Sequence, residues 1–537
     1  MSSLVFQGGR PGNVWIVLAA VWLWALVAGP AVVAEEAVDP SLLTVAERSD
    51  YQATSRSAEV QELLQRLEQL APHIALLDFA KTTEGRPLTA AIVANPPVKS
   101  PEQLVGDERL VALIIGNIHS GECDGKEALL RLLRELALQP EHPLLKRLVL
   151  LVVPNYNADG NDKVGLNNRP GQIGPAAGAG TRENAQGLNL NRDFVKLECP
   201  ETRGLVRLMN AWKPHLFMDA HTTNGSYHRY PLTYACAHNP GVPTVIRDFL
   251  RGSMLPEVSQ QLARQNWDTF YYGNFAENHT RWVSFGHEPR YSTEYGTLRG
   301  MLSILVESYS YIPYRDRIEV SHAFISECLK YVADHATETV QCLREGAVVL
   351  SGTGTTAEAR ADVPIRAALA AFPGKFTVKG YEGPGDKNPK DYSVDFFGRF
   401  EPTQKVARPL AYAIPANLTA VVDNLREHGV VVEKLSRSVT CEVTVATVHS
   451  ATFQNPAFEK HPLATVETRH KTETRTLAAG DLIVRTAQPL GVLAIYLLEP
   501  ESDDGYVKWN FLDEFLQPGT EYPIRKISAG VELPTGE

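Results

Sequence analysis

The sequence predicts an α/β domain on a mainly parallel sheet flanked by helices, followed by a mainly β domain, within 537 residues. Three observations carry this. From residue 40 to 345, short and nearly continuous apolar runs alternate with amphipathic stretches, and strands that are apolar on both sides belong to sheets covered on both faces. Around 350–362 the chain turns small and polar, Leu-Ser-Gly-Thr-Gly-Thr-Thr-Ala-Glu-Ala-Arg-Ala-Asp, the composition of a linker or exposed loop. Beyond it helical spacing is scarce and β-branched segments take over. The expected organisation is 1–34 as a signal segment, 40–345 as the α/β domain, 346–374 as a linker and 375–530 as the β domain.

The elements follow in order. Residues 109–115 predict a first strand and 126–138 the helix after it. Residues 148–153 predict a second strand, which runs into Pro-Asn-Tyr-Asn-Ala-Asp-Gly at 154–160, a loop by its Asn, Asp and Gly content. Residues 215–220 and 301–306 predict a third and a fourth strand. Helical spacing recurs at 201–212, 245–264 and 319–342. In the C-terminal part, 439–448, 464–474, 481–487 and 491–498 predict strands, and 418–428 predicts one helix.

The first 34 residues stand apart. Arg10 precedes an apolar run from Val14 to Gly29, Pro30 breaks it, and Val32-Val33-Ala34 comes ahead of Glu35-Glu36. That is the pattern of a secretory signal cut after Ala34. The run is also nearly long enough for an uncleaved membrane anchor. Either reading places the body of the protein outside the cytoplasm, periplasmic or extracellular, with no membrane contact unless the segment stays uncleaved. A net charge of −10 does not draw phosphate backbones, so no nucleic-acid partner is expected. None of the six cysteines forms a Cys-x-x-Cys pair, which argues against a cysteine zinc cluster.

The chemistry gathers at predicted strand ends. His119-Ser-Gly-Glu122 places two metal-ligating side chains together just past the first strand, where open α/β sheets carry their sites. The same His-x-x-Glu spacing at His335/Glu338 and His470/Glu473 lies in charged, solvated text. A catalytic zinc needs a third protein ligand, and His221, closing the third strand, supplies it; His215 is on the wrong edge. Glu307 closes the fourth strand, an odd place for an acid unless it serves as a general base beside a metal. Arg182 and the pair Asn191-Arg192 add a charge for an oxyanion and a fork for a carboxylate.

Taken together, His119-x-x-Glu122, the Asn-Ala-Asp-Gly loop, Arg182, Asn191-Arg192, His221 and Glu307 resemble, in this order, the zinc metallocarboxypeptidase family of pancreatic carboxypeptidases and their bacterial relatives, over roughly residues 50–340. The resemblance implies a mixed, mainly parallel sheet and one Zn2+ held by His119, Glu122 and His221. It implies that Glu307 activates the zinc-bound water, that Arg182 stabilises the oxyanion, and that Asn191 and Arg192 anchor the terminal carboxylate of a peptide or protein substrate. Two departures stand out. Where the family has an Asp orienting the first zinc histidine, this chain has Asn189, with Asp219 as an electrostatic stand-in. The family's mobile Tyr matches Tyr295 in Ser-Thr-Glu-Tyr-Gly, with Tyr291 as its rival. Two other functions remain open at this point: a zinc amidase acting on cell-wall peptides or N-acyl amino acids, and a non-catalytic binding protein with a decayed site.

Overall fold

The computed structural model describes residues 38–382, 388–528 and 531–536. The expected signal segment, 1–34, lies outside them. From Pro40 to Glu537 the chain forms one compact unit. Its strands through the first part are β1 (Ile74–Lys81), β2 (Pro87–Val93), β3 (Leu110–Gly116), β4 (Leu148–Val153), β5 (Leu216–Thr223), β6 (Leu232–Cys236), β7 (Thr269–Tyr271), β8 (Asn274–Ala276), β9 (Arg281–Val283) and β10 (Leu302–Tyr309).

Eight of these form one sheet in the order β1-β2-β4-β3-β5-β10-β6-β7. The centre is parallel, with β3 pairing β4 and β5, and β5 pairing β10. The pairs β1 with β2, β2 with β4 and β10 with β6 are antiparallel. The sheet is therefore mixed and mainly parallel, as expected. Every residue of β3, β4, β5 and β10 is buried, which is why these strands read as unbroken apolar runs. Helices Asp124–Leu138, Pro200–Trp212 and Tyr314–Asp334 pack on the sheet with their apolar faces inward.

The C-terminal part differs from expectation in two places. Residues 346–374 hold the end of helix Ala336–Ser351, closed by Gly352 at φ 67°, and then β11 (Val363–Ala371). Gly491–Leu498, read as a strand, is an α-helix with all eight residues buried. A helix apolar on every side has no 3.6-residue signature, so its short run imitates a strand.

The remaining strands are β12 (Phe376–Tyr381), β13 (Pro389–Val406), β14 (Ala411–Ile414), β15 (Glu433–Leu435), β16 (Val439–Phe453), β17 (Ala464–Leu477), β18 (Leu482–Arg485), β19 (Arg525–Ile527) and β20 (Thr535–Gly536). They build a seven-stranded sheet, β17-β16-β19-β14-β18-β15-β20, and a smaller one in which β13 joins β11 to β9 and β8 of the first part. Thr419–His428 is the expected helix. All six cysteines are buried free thiols. Among the described residues no helix is long and apolar enough to cross a membrane.

Candidate active site

His119 and Glu122, both in the turn after β3, come together with His221 of β5. Asn117, at φ 68°, turns the chain out of β3 and starts the His119 loop. Glu122 sits just ahead of helix Asp124–Leu138. That helix approaches β5 so closely that a Cβ on Gly125 would lie 2.6 Å from the Ala220 Cβ. Its buried first residue pins it there: Thr222 Oγ1 donates to Asp124 Oδ1 at 2.7 Å, Ser308 Oγ donates to Oδ2, and Arg317 Nε reaches Oδ1 at 3.3 Å. Thr222 and Ser308 directly follow His221 and Glu307, so one carboxylate sets the height of both strands against the helix. β5 and β10 run on to Thr223 and Tyr309, two residues beyond the expected ends of the site, and their register puts Glu307 beside His221.

One ligand atom from each of His119, Glu122 and His221 lies within 4.8 Å of the others, and all three side chains are buried. Both histidines turn Nδ1 toward the Glu122 carboxylate, His119 at 3.2 Å from Oε1 and His221 at 3.0 Å from Oε2. Their other nitrogens are backed by oxygen. His119 Nε2 lies 3.0 Å from Asn189 Oδ1, and His221 Nε2 lies 2.9 Å from Asp219 Oδ2, the latter a close ionic contact off hydrogen-bond alignment. Two inward imidazole nitrogens, one carboxylate and oxygen partners behind both rings form a donor set that fits a divalent metal such as zinc. Arg182 Nη1 donates to His119 Nδ1 at 3.2 Å, so the lone pair of that nitrogen faces the cleft.

The electrostatics agree with a site built for positive charge. Burial drives the His119 pKa down to about 4, keeping the ring neutral as a ligand must be. Burial also opposes charge on His221, but Asp219, Glu122 and Glu307 outweigh it and hold its pKa well above the usual value. For Glu122 the burial penalty is overcome by His119 and Arg169, and the pKa falls well below normal. Glu307 is pushed up to about 8, by burial first, with His221 opposing and Glu122 adding.

These residues line a cleft of about 310 Å3 together with Arg182, Asn191, Arg192, Thr223, Tyr272, Phe285, Tyr291 and Leu305. A larger hollow of about 520 Å3, bordered by Arg251, His238 and Arg408, contains none of the ligands. Arg192 stacks on the Tyr291 ring at 4.4 Å. Asn191 Oδ1 accepts from the Ser292 amide at 2.8 Å, and Ser292 Oγ donates to Asp219 at 2.5 Å. Asn157 of the Asn-Ala-Asp-Gly loop joins the pieces, its Nδ2 reaching the carbonyls of Ile118 and Arg182 at 3.3 Å each.

Tyr295 is not in the cleft. One helical turn past Tyr291, in helix Ser292–Leu298, it points into the core, its hydroxyl 2.7 Å from His428 Nδ1 and 3.0 Å from Arg299 Nη1. Tyr291 holds the cleft position instead. Asp219 backs His221, whereas Asn189 alone stands behind His119. Sequence reasoning also missed Arg169, which donates to Glu122 Oε1 at 3.1 Å and to the Thr222 carbonyl at 2.6 Å. It comes from a loop with no strand-end signal to mark it.

A family model described as zinc carboxypeptidase matches residues 60–296. Among curated proteins, the chain is similar to "Carboxypeptidase 2" of Trichophyton tonsurans, at 24% identity over 84% of this chain and 82% of that one. It is also similar to "Carboxypeptidase 2" of Trichophyton rubrum, at 23% over 83% and 81%. Among solved structures, a metallo-carboxypeptidase from Burkholderia cenocepacia shares 20% identity over 51% of this chain and 67% of that one, with a TM-score of 0.36. One from Pseudomonas aeruginosa shares 21% over 52% and 69%, with a TM-score of 0.37.

Proposed function

We infer, from the match of residues 60–296 to a family model described as zinc carboxypeptidase, that this chain is a zinc carboxypeptidase, a peptide-bond hydrolase that removes residues from the C-terminal end of peptides or proteins. The observation that carries this reading is the cleft itself. A buried His119-Glu122-His221 donor set and the Glu307 carboxylate share one hollow with the Asn191-Arg192 pair. An exopeptidase needs those groups within one residue's length of each other.

His119, Glu122 and His221 would hold Zn2+. When bound there, zinc supplies a Lewis acid that acidifies water, polarises a carbonyl and favours the ionised form of the nearby carboxylate. Arg192, supported from below by the Tyr291 ring, binds the substrate's terminal carboxylate through its guanidinium fork, and Asn191 adds its amide. That contact fixes which bond lies over the reactive groups. Arg182, at the ligand end of the cleft, faces the scissile carbonyl oxygen and stabilises the charge that grows there. Glu307 takes the proton from the attacking water and returns it to the leaving amine. Asp219 holds His221 in orientation. Residues 1–34 carry the protein out of the cytoplasm, so the substrates are periplasmic or extracellular peptides.

The test is mass spectrometry of a mixed peptide library incubated with zinc-loaded protein, beside a Glu307→Gln control. Stepwise loss of C-terminal residues is expected, with a drop of about 100-fold or more in the control at unchanged zinc content. Internal cleavage, or a control that trims at the parent rate, would defeat the reading.

A further inference from the structure

Between β16 and β17 the chain reaches a tip at Phe458-Glu459-Lys460-His461. Phe458 N donates to the His461 carbonyl at 2.8 Å and His461 N to the Phe458 carbonyl at 2.9 Å, closing a two-residue turn. Both central residues are left-handed, Glu459 at φ 49° and Lys460 at φ 67°. Turns of this kind favour Asn-Gly or Asp-Gly, because Cβ crowds the following carbonyl at positive φ and only Gly, or a short polar side chain that bonds locally, tolerates it well. Glu-Lys is a poor choice for the turn alone, so local geometry does not account for it.

What these residues touch does. Glu459 Oε2 accepts from the Asn189 amide at 3.2 Å, Lys460 Nζ donates to the Gln186 carbonyl at 2.7 Å, and His461 Nε2 lies 2.9 Å from Glu198 Oε1. Three consecutive side chains of the C-terminal part grip the 186–198 segment, which carries Asn189, Asn191 and Arg192. The grip bears on the turn itself. Asn189 caps Leu190–Arg192, its Oδ1 accepting from the Asn191 amide at 3.0 Å as well as facing His119. Glu459 thus holds the backbone of the residue that connects the metal ligands to the carboxylate fork. Its charge also lies in the field of Arg192.

A second anchor from the C-terminal part meets the other wall. Asp504, fully buried, accepts from the Arg290 amide at 2.7 Å and pairs with its guanidinium at 2.7 Å, while Trp509 Nε1 donates to it at 2.8 Å. Arg290 precedes Tyr291, the ring under Arg192, and its guanidinium lies 5.6 Å from the Phe458 ring at the hairpin tip.

We propose that the C-terminal β-rich part builds the back of the subsite for the substrate's terminal carboxylate, with Glu459 as a positioning residue for the Asn189–Arg192 turn. This rests on the exopeptidase reading for its biological meaning, but it is a statement about binding and is tested as one. The probes are an N-acetylated amino acid with a free carboxylate and its carboxamide, titrated into zinc-loaded protein by calorimetry. Glu459→Ala weakens the free acid about tenfold and the carboxamide little, with zinc content unchanged. Glu459→Gln, which keeps an acceptor oxygen, retains most of the affinity. The double variant Glu459→Asn/Lys460→Gly relieves the turn, so it melts no lower than the parent while losing the same selectivity. Equal weakening of acid and amide, or no weakening, would overturn the proposal. Peptide hydrolysis is followed in parallel. A parent that prefers the acid but cleaves nothing would sink the exopeptidase reading and leave the positioning role standing. A parent that does not distinguish acid from amide would sink both.

Discussion

Replacing Asn189 by Asp tests whether the residue behind His119 tunes the proposed metal site. Asn189 Oδ1 stands 3.0 Å behind His119 Nε2, where a neutral acceptor orients the ring without adding charge. Ligation at Nδ1 makes the opposite N–H a stronger donor, so a carboxylate there gains most when metal is bound. A hydrogen bond to a charged partner contributes about 1 kcal/mol more than a neutral one, or about fivefold in a dissociation constant. The opposing term is burial, since Asn189 is 6% exposed and Glu122 and Glu459 lie nearby. Two features limit that cost. The Asn191 amide already points at the same oxygen at 3.0 Å, and the positive Arg182 guanidinium lies beside the same imidazole. The expected net result for Asn189→Asp is therefore zinc binding about two- to fivefold tighter. Asn189→Ala, with no acceptor, should bind about 10- to 100-fold more weakly. The assay is competition with a chromophoric chelator at neutral pH, starting from stripped protein. If Asn189→Ala binds zinc as the parent does, the contact does not orient His119 and the reasoning fails.

Arg192→Ala should raise KM for peptides with a free C-terminus by about 100-fold, as expected for a charge-assisted carboxylate contact, and hardly change the slow turnover of amidated peptides; a parallel loss on both would remove Arg192 from the clamp. Gly125→Ala should destabilise the fold by about 1–3 kcal/mol, because its Cβ meets the Ala220 Cβ at 2.6 Å between a helix and a central strand; an unchanged urea midpoint would show that the two elements can part freely. Burial, with Arg299 adding, pushes the His428 pKa down to about 3. Between that value and about 6.5 the unfolded chain therefore binds a proton that the folded chain does not, and this residue's contribution falls as pH drops. The stability gap between the parent and His428→Gln should accordingly shift against the parent by about 2 kcal/mol from pH 6.5 to pH 5, and a gap that stays constant in denaturant titrations would contradict the buried neutral ring.

The His119, Glu122 and His221 group was legible because each residue lies beside a strand buried on both faces. Such strands write themselves as apolar runs, and a His or Glu at their margins has few structural reasons to be there. Asp124, Arg169 and Glu459 were not legible, since each acts on residues far along the chain: Asp124 on Ser308, Arg169 on Glu122, Glu459 on Asn189. Their own neighbourhoods carry no unusual pattern. The Tyr assignment failed for a geometric reason. Tyr291 is the N-cap of helix Ser292–Leu298 and has extended backbone, so its ring turns to the cleft wall, whereas Tyr295 lies within the helix and its ring is buried in the core. In the C-terminal part, alternating segments such as 439–448 gave strands correctly, because β16 has one face buried and one exposed. Gly491–Leu498 has no exposed face, and so no period by which to tell helix from strand.

The pairing of β9 with β13 sets an order of events during synthesis. Arg281–Val283 lies against Asp395–Phe397, more than a hundred residues later, and among the described residues the ribbon of β8 and β9 has no other neighbour in its sheet. A two-stranded ribbon is marginal in water by itself. Until the ribosome has delivered β13, β9 carries an open edge, and contacts this distant in sequence close slowly. A chain cut after residue 345 would keep His119, Glu122 and His221 and still expose that edge permanently, which makes it a candidate for aggregation.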